Sequence, residues 1–409
     1  MNNTQRQFIE ILSDGIRGTS AEKYYENVDW DEVLELANKH KVEGIIYLSL
    51  RKGSLASKIG NDRLNILKKK AAITGIGQSR HISGLSEVLA KINEREIPVI
   101  VLKGLVVREF YPQPDQRSMS DADILVHKDD VETVKQILID MGYVFLEDHK
   151  ASHHIALVHH KYPVVEVHWH LFKRDGFSNE LEHYERLIWK RAIDINVGKE
   201  SALSLAYDDL ALHLCMHMAA HLAATGFGVR QLCDLVLLVE KKGNEIDWNS
   251  FIMKARMYGF EKFSLIMFLL CKELFNMEVP KGIDIKSVSN KKYVAALIDE
   301  IFESGVHGKK EMANQFATQV AFNFEDKDGN ATLGAIKRYF RFIFPSVDSM
   351  SEKYNYAKKI KILTPIAWIH HLFAGIFFDG YTFKDKYEFL TKGAIVAINR
   401  NKLLEWMEL

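Results

Sequence analysis

The acidic pair Asp121 and Asp123, in the stretch QRSMSDADILV, is the feature that most constrains this chain. On a β-strand, residues two positions apart project to the same face, so the two carboxylates lie together while Ala122, Ile124 and Val126 face the other way. Like charges at that spacing repel, and the repulsion costs stability unless a positive charge lies between them. The pair therefore predicts a strand with one buried face and a cation at the other. A solvated turn is the alternative interpretation of an isolated pair.

A third carboxylate lies in the stretch VVEVHWHL. Apolar and polar residues alternate there, so Glu166, His168 and His170 share the polar face of a predicted strand. If this strand lies beside the one that carries Asp121 and Asp123, three carboxylates converge. Hard oxygen ligands of this type suit Mg²⁺ or Mn²⁺. Two such ions can orient a triphosphate, activate a hydroxyl and stabilise the leaving pyrophosphate, which points to phosphoryl or nucleotidyl transfer.

The hydrophobic pattern changes twice along the chain. Helical spacing dominates residues 1–95, and IPVIVLKG then predicts a strand, LVVREFYPQP a short helix, DADILVH a strand, KDDVETVKQILIDMG a helix and YVFLE a strand. HHIALVHH and YPVVEVHWHL predict an antiparallel pair. Helical spacing returns over residues 201–409, where the polar stretch NFEDKDGNATLG predicts a surface loop. We therefore predict an α+β fold, with a small mixed or antiparallel sheet core at 96–200 between N-terminal and C-terminal helical regions.

Composition excludes several classes of protein. A chain of 409 residues predicts two or more lobes. Its net charge is zero, which argues against a nucleic-acid coat or a polybasic membrane anchor. The cysteines, none in a CxxC pair, argue against a disulfide framework or a zinc knuckle, and their apolar surroundings predict burial. They are Cys215, Cys233 and Cys271.

The sequence was searched for a signal peptide and for a membrane-spanning segment. The N-terminal stretch MNNTQRQFIEILSDG is polar and lacks a signal-peptide core. The most apolar stretch, LTPIAWIHHLFAGIFFDGYTF, is interrupted by Pro365, Gly375 and Asp379, so it is short of a clean membrane span. We therefore expect a buried helix there, no membrane span and a cytoplasmic protein.

Histidines are numerous and raise the question of zinc. Adjacent or alternating pairs occur at 153–154, 159–160 and 168–170, and three further histidines are spaced four apart on one helical face, His213, His217 and His221. A helical zinc site usually needs an HExxH motif or added cysteine ligands. Neither is present, so the sequence argues against zinc.

Taken together, VIVLKGLVVREFYPQPDQRSMSDADILV and VVEVHWHL resemble the uncharacterised nucleotidyltransferase family of the polymerase-β-like superfamily. Members of that superfamily have a strand ending in a Gly-Ser or similar pair, a helix, a strand bearing DxD, and a third carboxylate on a neighbouring strand. The helical segments HLCMHMAAHL and VRQLCDLVLL, and the later RFIFPSVDSMSEKY, are also similar to the family. The Gly-Ser pair is not intact here, because Gly104 is followed by Leu105.

The resemblance implies a role for each matching residue. Gly104 would open a helix whose first backbone N–H groups hold phosphate oxygens, and Lys103 and Arg117 would neutralise phosphate charge. Ser120 would orient the acidic strand. Solvated surface charge or local capping is the alternative for each of these side chains. The implied catalytic and metal-binding residues are Asp121, Asp123 and Glu166, and the implied nucleotide-binding residues are Lys103, Gly104, Arg117, Ser120, His217, Arg230 and Asp234.

Arg230 and Asp234 lie four residues apart on one predicted helix. We expect them to pair with each other and, with His217, to brace the helical region against the core or to contact the nucleotide. A purely structural ion pair is the alternative.

The function implied is a Mg²⁺-dependent (or Mn²⁺-dependent) nucleotidyltransferase that moves a nucleoside monophosphate from an NTP to a hydroxyl of an acceptor. Neutral charge favours a small-molecule, sugar or protein acceptor over a long nucleic acid. The altered Gly-Ser element leaves open a catalytically weak, nucleotide-binding regulatory protein. A DxD glycosyltransferase is a further alternative, although that fold needs a parallel nucleotide-binding domain ahead of the DxD, and only one strand precedes it here.

Overall fold

The structure is a computed structural model that describes residues 1–21, 27–52, 55–146, 153–171, 179–306, 340–341, 344–377, 395 and 398–409. The chain divides into two compact units. The first comprises Met1–Met218 and Gly228–Ser289, and the second comprises Ala219–Phe227 and Asn290–Leu409.

One mixed sheet of seven strands forms the centre of the first unit, in the order β3-β4-β5-β2-β1-β7-β6. The antiparallel pair predicted for β4 and β5 is confirmed, and so is the α+β fold with a mixed sheet. The strands are β1 (Ile100–Val101), β2 (Asp121–Leu125), β3 (Val144–Leu146), β4 (His154–Val158), β5 (Val164–His168), β6 (Ile193–Val197) and β7 (Glu200–Ser204).

The hairpin of β6 and β7 was not predicted from the sequence. The two strands pair antiparallel around a tight turn at Gly198, whose φ of +64° favours glycine. Apolar and polar residues alternate strictly along β6, IDINV, but only loosely along β7, ESALS, so the available signal was confined to one short strand. β7 also pairs in parallel with β1 and thereby extends the sheet on the side away from β5.

Helices surround the sheet, as the pattern of residues 1–95 and of the region after 205 predicted. Asp29 caps one of them, because its side chain accepts from the backbone N–H groups of Asp31 and Glu32. The helices up to residue 289 are α1 (Asn3–Arg17), α2 (Trp30–Lys39), α3 (Glu43–Leu50), α4 (Ala56–Ile59), α5 (Asn61–Asn93), α6 (Gly104–Val107), α7 (Val131–Asp140), α8 (Asn179–Arg191), α9 (Tyr207–Ala224), α10 (Val229–Lys242), α11 (Trp248–Met257) and α12 (Glu261–Phe275).

The N-terminal helices fix the loop that leads into β2. Gln116 Nε2 donates to the carbonyl of Ala71 in α5 at 3.3 Å. Ser118 Oγ donates to the carbonyl of Lys41 at 3.0 Å. A Cβ at Gly44, in α3, would collide with the Gln116 side chain. The helical region that precedes the core therefore holds the approach to the acidic strand in place.

His40 ties the end of α2 to the start of α10. The backbone N–H of Val229, in the first turn of α10, donates to His40 Nδ1 at 3.3 Å. The His40 side chain is fully buried. Burial, with a smaller contribution from the positive charge of Lys39, lowers the pKa of His40 from 6.5 to about 3. The imidazole is therefore neutral in the folded protein at physiological pH.

This buried histidine predicts acid sensitivity. Between pH 6.5 and 3 the unfolded chain binds a proton at His40 that the folded chain does not, so the free energy of unfolding falls as the pH falls. From pH 7.5 to 5.5 His40 alone contributes a loss of about 1.4 kcal/mol. Asn at this position keeps an acceptor near Nδ1 and does not titrate. Urea unfolding of His40→Asn at both pH values should show a pH dependence smaller by that amount, and an unchanged dependence would contradict the prediction.

An ion cluster at the start of α9 was also not predicted. Lys254, in α11, is buried, and its Nζ lies 2.6 Å from Asp209 Oδ1 and also contacts Asp208. Arg191, at the end of α8, contacts both carboxylates. Buried carboxylates need such partners because an unpaired buried charge is costly. The cluster joins α8, α9 and α11, which sets the position of α9 and of the histidines that it carries.

The second unit is described for fewer residues. Its helices include α13 (Lys291–Ser304), α14 (Asn355–Lys359) and α15 (Thr364–Phe377), and residues 398–407 are also helical. The predicted loop NFEDKDGNATLG lies outside the described residues. A small core packs around four buried residues, Met350, Tyr354, Ala357 and Ala367.

The prediction of a buried helix at LTPIAWIHHLFAGIFFDGYTF is wrong for the part that the structure describes. Along α15 the side chains of Ile366, Ile369 and Phe373 are all more than half exposed. Spaced three and four residues apart, they form one face of the helix, while Ala367 faces the core. Among the described residues no helix is long and apolar enough to cross a membrane. The three cysteines are free and buried, as predicted.

Candidate functional site

The acidic strand β2 lies beside β5, as the convergence of carboxylates requires. The two strands run in parallel, and Asp123 is directly opposite Glu166 in the register. Asp121 precedes Asp123 by two positions and so projects to the same face of the sheet. On the opposite face Ala122 and Val165 are fully buried. The backbone thus sets the three carboxylates proposed from the sequence on one face of the sheet, and the cluster of close ligand atoms among the described residues comprises Asp123, Glu166 and His168.

Asp123 is the most enclosed of the three carboxylates, with 5% of its surface exposed. Its Oδ1 accepts from Lys103 Nζ at 2.9 Å and lies 3.1 Å from His168 Nε2. The same nitrogen of His168 lies 3.5 Å from Glu166 Oε2. Lys103 and His168 are therefore the positive groups that the structure places against the carboxylates.

The pKa values of these groups follow from that contact. Burial alone would raise the pKa of Asp123, but Lys103 and His168 outweigh it and hold the pKa well below its usual value. Burial alone would lower the pKa of His168, but its contacts with Asp123 and Glu166 outweigh it, and the pKa is raised. The same carboxylates raise the pKa of Lys103 against its burial.

Asp121 has less compensation than Asp123. Burial and the neighbouring charge of Asp123 raise its pKa. Ser120 Oγ donates to Asp121 Oδ1 at 3.1 Å. Ser120 therefore contacts the first carboxylate of the strand, and its orienting role stays a prediction. Asp121 is the carboxylate at which an added cation would relieve the most repulsion.

Lys103 has an unusual backbone conformation. Its φ of +49° and ψ of −118° lie in a region that L residues rarely adopt and that glycine tolerates. Holding a non-glycine residue there costs of the order of 1–3 kcal/mol. The residue at this position is a lysine and not a glycine, and its ammonium group pairs with Asp123. Lys103 thus combines a strained backbone at the end of β1 with an ion pair to β2.

Two substitutions at position 103 separate these contributions. Both Lys103→Ala and Lys103→Gly remove the ammonium group from Asp123, but only Gly relieves the backbone. We expect Lys103→Gly to be more stable than Lys103→Ala by about 1–2 kcal/mol. Urea unfolding of the two variants, with the circular dichroism spectrum as a check of fold, measures the difference. Glycine loses more conformational entropy on folding than alanine, so an unstrained backbone would instead make Lys103→Gly less stable than Lys103→Ala by about 0.4–1 kcal/mol.

Gly104 is required because side chains pack closely against it. A Cβ at this position would lie 2.8 Å from Met119 Sδ and would collide with the guanidinium of Arg117. The N–H groups of Leu105 and Val106 donate to the carbonyls of Leu102 and Lys103. They are therefore engaged within the turn, and the predicted phosphate cradle of the first helical turn reduces to the N–H of Gly104 itself.

Arg117 does not have the contacts expected of a phosphate-binding fork. Its Nη2 donates to Asp234 Oδ2 at 2.6 Å and its Nε to Asp234 Oδ1 at 3.2 Å, in a buried pair. Its Nη1 donates to the carbonyl of Ser118 at 3.3 Å. Tyr111, which sequence reasoning missed, donates its hydroxyl to Asp234 Oδ1 at 2.7 Å. The expected pairing of Arg230 with Asp234 is thus wrong, because Arg117 takes the carboxylate.

Of Arg117 and Arg230, it is Arg230 that has no hydrogen bond or ion pair with a carboxylate among the described residues. Its Nη1 donates to the carbonyl of Ser118, and within the described residues its buried Nε has no hydrogen-bond partner. Burial and the nearby charge of Arg117 lower its pKa to about 10, against the opposing effect of Asp234 and Asp121. A desolvated guanidinium of this kind has the chemistry to bind an anion.

Two histidines of α9 complete the surroundings of the carboxylates. His217 is close enough for its charge to help lower the pKa of Asp123. Burial, with the positive charge of Lys103, lowers the pKa of His213 to about 3, so its imidazole is neutral. The rings of the two histidines are stacked with centroids 6.4 Å apart. The prediction placed His217 near the site, whereas His213 was not chosen, although its spacing of four residues was the available signal.

Metal ligands of two kinds meet around His168. Within the described residues, ligand atoms of Asp123, Glu166 and His168 lie within 4.8 Å of one another, and so do those of His153, His154 and His168. Carboxylate oxygens fit Mg²⁺ or Mn²⁺, and imidazoles fit later transition metals. The carboxylate face therefore fits a divalent ion by the chemistry of its donors.

Comparison with known proteins gives a family. A family model described as "Uncharacterised nucleotidyltransferase" matches residues 26–276, which is more than half of the chain and includes the whole sheet. No curated protein matches. A solution structure of the antibiotic-resistance factor ANT(2″)-Ia is similar at a TM-score of 0.32 and 9% identity, covering 44% of this chain and 94% of that one. Such a loose overlap carries no argument about the site. On the family match, the chain belongs to the uncharacterised nucleotidyltransferase family and is an enzyme of that class.

Proposed function

We propose that this enzyme transfers a nucleoside monophosphate from an NTP to a hydroxyl of an acceptor, with divalent metal held by Asp121, Asp123 and Glu166. The observation that carries the proposal is the parallel register of β2 and β5, which sets Asp123 opposite Glu166 on the face that Asp121 shares. Mg²⁺ or Mn²⁺ at these carboxylates would polarise the α-phosphate and lower the pKa of the attacking hydroxyl.

The roles of the carboxylates differ with their surroundings. Asp123 is held in its ionised form by Lys103 and His168, so it is a permanent anion at the centre of the site. Asp121 lies at the start of the strand and is more open to solvent and ligand. Glu166 lies on the neighbouring strand with about a quarter of its side chain exposed, where it can accept the proton of the acceptor hydroxyl.

The triphosphate needs cationic groups that the fold has not already used. Arg117 is committed to Asp234, and Lys103 is committed to Asp123. Arg230 has a desolvated guanidinium in the electrostatic range of Asp121. We therefore assign triphosphate binding to Arg230 and treat Arg117 and Asp234 as the pair that holds the loop before β2 against α10. His217 borders the same space from α9.

The acceptor is best described by its chemistry. The protein has no net charge, and phosphate-backbone binding by proteins relies on clustered positive charge. A hydroxyl of a small molecule, a sugar or a protein side chain therefore fits better than a long nucleic acid. Positions 104–105 read Gly-Leu in place of the Gly-Ser pair. We therefore expect side chains to contribute more to phosphate binding than this turn does.

Calorimetry with Mg²⁺ and each of ATP, GTP, CTP and UTP tests the proposal. The variant Asp121→Asn/Glu166→Gln removes two metal ligands and leaves the buried Asp123 with its partners, so the fold should persist. We expect Mg²⁺-dependent binding of at least one nucleotide by the wild type and its loss in the variant.

The matched control is Asp129→Asn/Asp130→Asn, which removes the same two charges from the segment just after β2. It should bind nucleotide like the wild type. If no nucleotide binds to the wild type, or if both double variants bind equally well, the carboxylates are not the metal site.

A further inference from the structure

Three histidines converge beside the carboxylates, and nothing in the proposed transfer reaction uses all of them. His154 begins β4 and is directly opposite His168 of β5 in the antiparallel register. The ring centroids of these two are 4.9 Å apart, and that of His153 lies 4.5 Å from His154 and 5.7 Å from His168. Side chains opposite each other on neighbouring strands are held at this separation by the backbone. The cluster is therefore part of the sheet rather than a chance meeting of loops.

The spacing of the nitrogens matches a tetrahedral ion. Zinc binds histidine nitrogen at about 2.0–2.1 Å in a tetrahedron, which puts neighbouring ligand nitrogens about 3.3 Å apart. His154 Nδ1 and His153 Nε2 are separated by 3.2 Å. A ligand atom of His168 lies within 4.8 Å of both, a distance that a rotation of the ring can close. The three imidazoles would leave a fourth position for solvent.

Two of these rings have a buried nitrogen that the described part of the chain leaves without a partner. They are Nδ1 of His153 and Nδ1 of His168, and His168 itself is 4% exposed. A buried polar atom without a hydrogen bond costs of the order of 1–3 kcal/mol. A metal ligand commonly leaves its second ring nitrogen to an outer partner such as water. Nδ1 of His168 is therefore available to a metal, because Nε2 of the same ring contacts Asp123. Nδ1 of His153 is the second nitrogen of a ring whose Nε2 lies 3.2 Å from His154.

We propose that His153, His154 and His168 form a second metal site, which takes a zinc-class transition-metal ion and is chemically distinct from the carboxylate site for Mg²⁺. The selectivity follows from ligand type, because imidazole nitrogen favours zinc and its neighbours in the transition series over Mg²⁺. The absence of an HExxH motif argued against zinc on a helix. Here the spacing comes instead from the cross-strand neighbours His154 and His168 and from His153, which directly precedes β4.

His168 links the two proposed sites. Its Nε2 is 3.1 Å from Asp123 Oδ1, so an ion held by His168 adds positive charge next to the carboxylates. Like charges at this distance repel. We therefore expect zinc to weaken the binding of Mg²⁺ and nucleotide, and Mg²⁺-nucleotide to weaken zinc by the same factor. This coupling rests on the proposed function, whereas the zinc site itself does not.

Metal titration of the apo-protein tests the site directly. Zn²⁺ binding is measured by competition with a chromophoric chelator, and Co²⁺ is used as a probe whose visible absorption reports four-coordinate geometry. We expect one ion per chain bound at the cluster by the wild type. His153→Ala and His154→Ala should each lower the affinity at least about 10–100-fold, since even the loss of an outer partner of a ligand has an effect of that size.

Two control variants make the outcomes decisive. His160→Ala removes an exposed histidine six residues after His154 and should bind zinc like the wild type. Asp121→Asn/Glu166→Gln should also retain zinc even though it loses Mg²⁺-nucleotide, so failure of the zinc site and failure of the proposed function are distinguishable. Unchanged zinc affinity in His153→Ala and His154→Ala would overturn the proposal, and so would zinc loss confined to the carboxylate variant.

Discussion

Asp234→Asn should destabilise the protein by about 3–5 kcal/mol, because it leaves the guanidinium of Arg117 buried without its carboxylate. Both partners are nearly inaccessible to solvent, and Nε and Nη2 of Arg117 both donate to Asp234. The Tyr111 hydroxyl donates to the same carboxylate. Urea unfolding followed by circular dichroism at pH 7.5 measures the effect.

The double variant Arg117→Met/Asp234→Leu is the matched control. It removes both charges and replaces them with apolar side chains of similar size, so it should be more stable than Asp234→Asn alone. A double variant less stable than Asp234→Asn would mean that the charge pair is favourable beyond its burial cost. A loss below about 1 kcal/mol in Asp234→Asn would show that water reaches the pair.

Arg230→Gln should lower the affinity for Mg²⁺-NTP by about 10–100-fold, because a hydrogen bond to a charged group contributes about 1.5–3 kcal/mol. The corresponding nucleoside monophosphate lacks the β- and γ-phosphates, so its affinity should change much less. The prediction depends on the desolvation of Arg230 and on its electrostatic interaction with Asp121, which both affect its pKa. Calorimetry with the two nucleotides measures both affinities.

The control for charge is Arg80→Gln, an exposed arginine of α5. It should leave both affinities unchanged. Equal losses for NTP and monophosphate in Arg230→Gln would assign Arg230 to another part of the nucleotide. No loss of affinity for either nucleotide would show that Arg230 does not bind the nucleotide. Lys103 would then be the candidate, and it would have to leave Asp123 to bind phosphate.

Part of the site was predictable because it depends on local periodicity. Alternation in DADILV and VVEVHW placed Asp121, Asp123 and Glu166 on the polar faces of two strands, and a carboxylate so placed has few interpretations other than solvent or metal. The structure adds the register, with Asp123 opposite Glu166. Register depends on the pairing of strands that are distant in sequence. From the sequence, the convergence of the carboxylates could therefore be predicted only if the two strands are neighbours.

The partners of the charged residues were not predictable in the same way. Arg230 and Asp234 are four apart on α10, which is the spacing of an ion pair on an isolated helix. Asp234 instead faces the buried loop before β2, where Arg117 approaches through the space left by Gly104. An ion pair between residues four apart on a helix stabilises it by a few tenths of a kcal/mol, whereas burial of an unpaired guanidinium would cost several times more. Tertiary contact therefore decided the pairing.

The sequence by itself indicated the α+β class through the order and period of short segments, and the family through the resemblance of its motifs. It also predicted that Asp121, Asp123 and Glu166 lie on the polar faces of two strands. Only the tertiary structure decided which cation neutralises Asp123, that Asp234 pairs with Arg117 instead of Arg230, and that His153, His154 and His168 meet. Each of these depends on distances between segments far apart in the chain. Burial makes those distances costly to change, and no local pattern of residues encodes them.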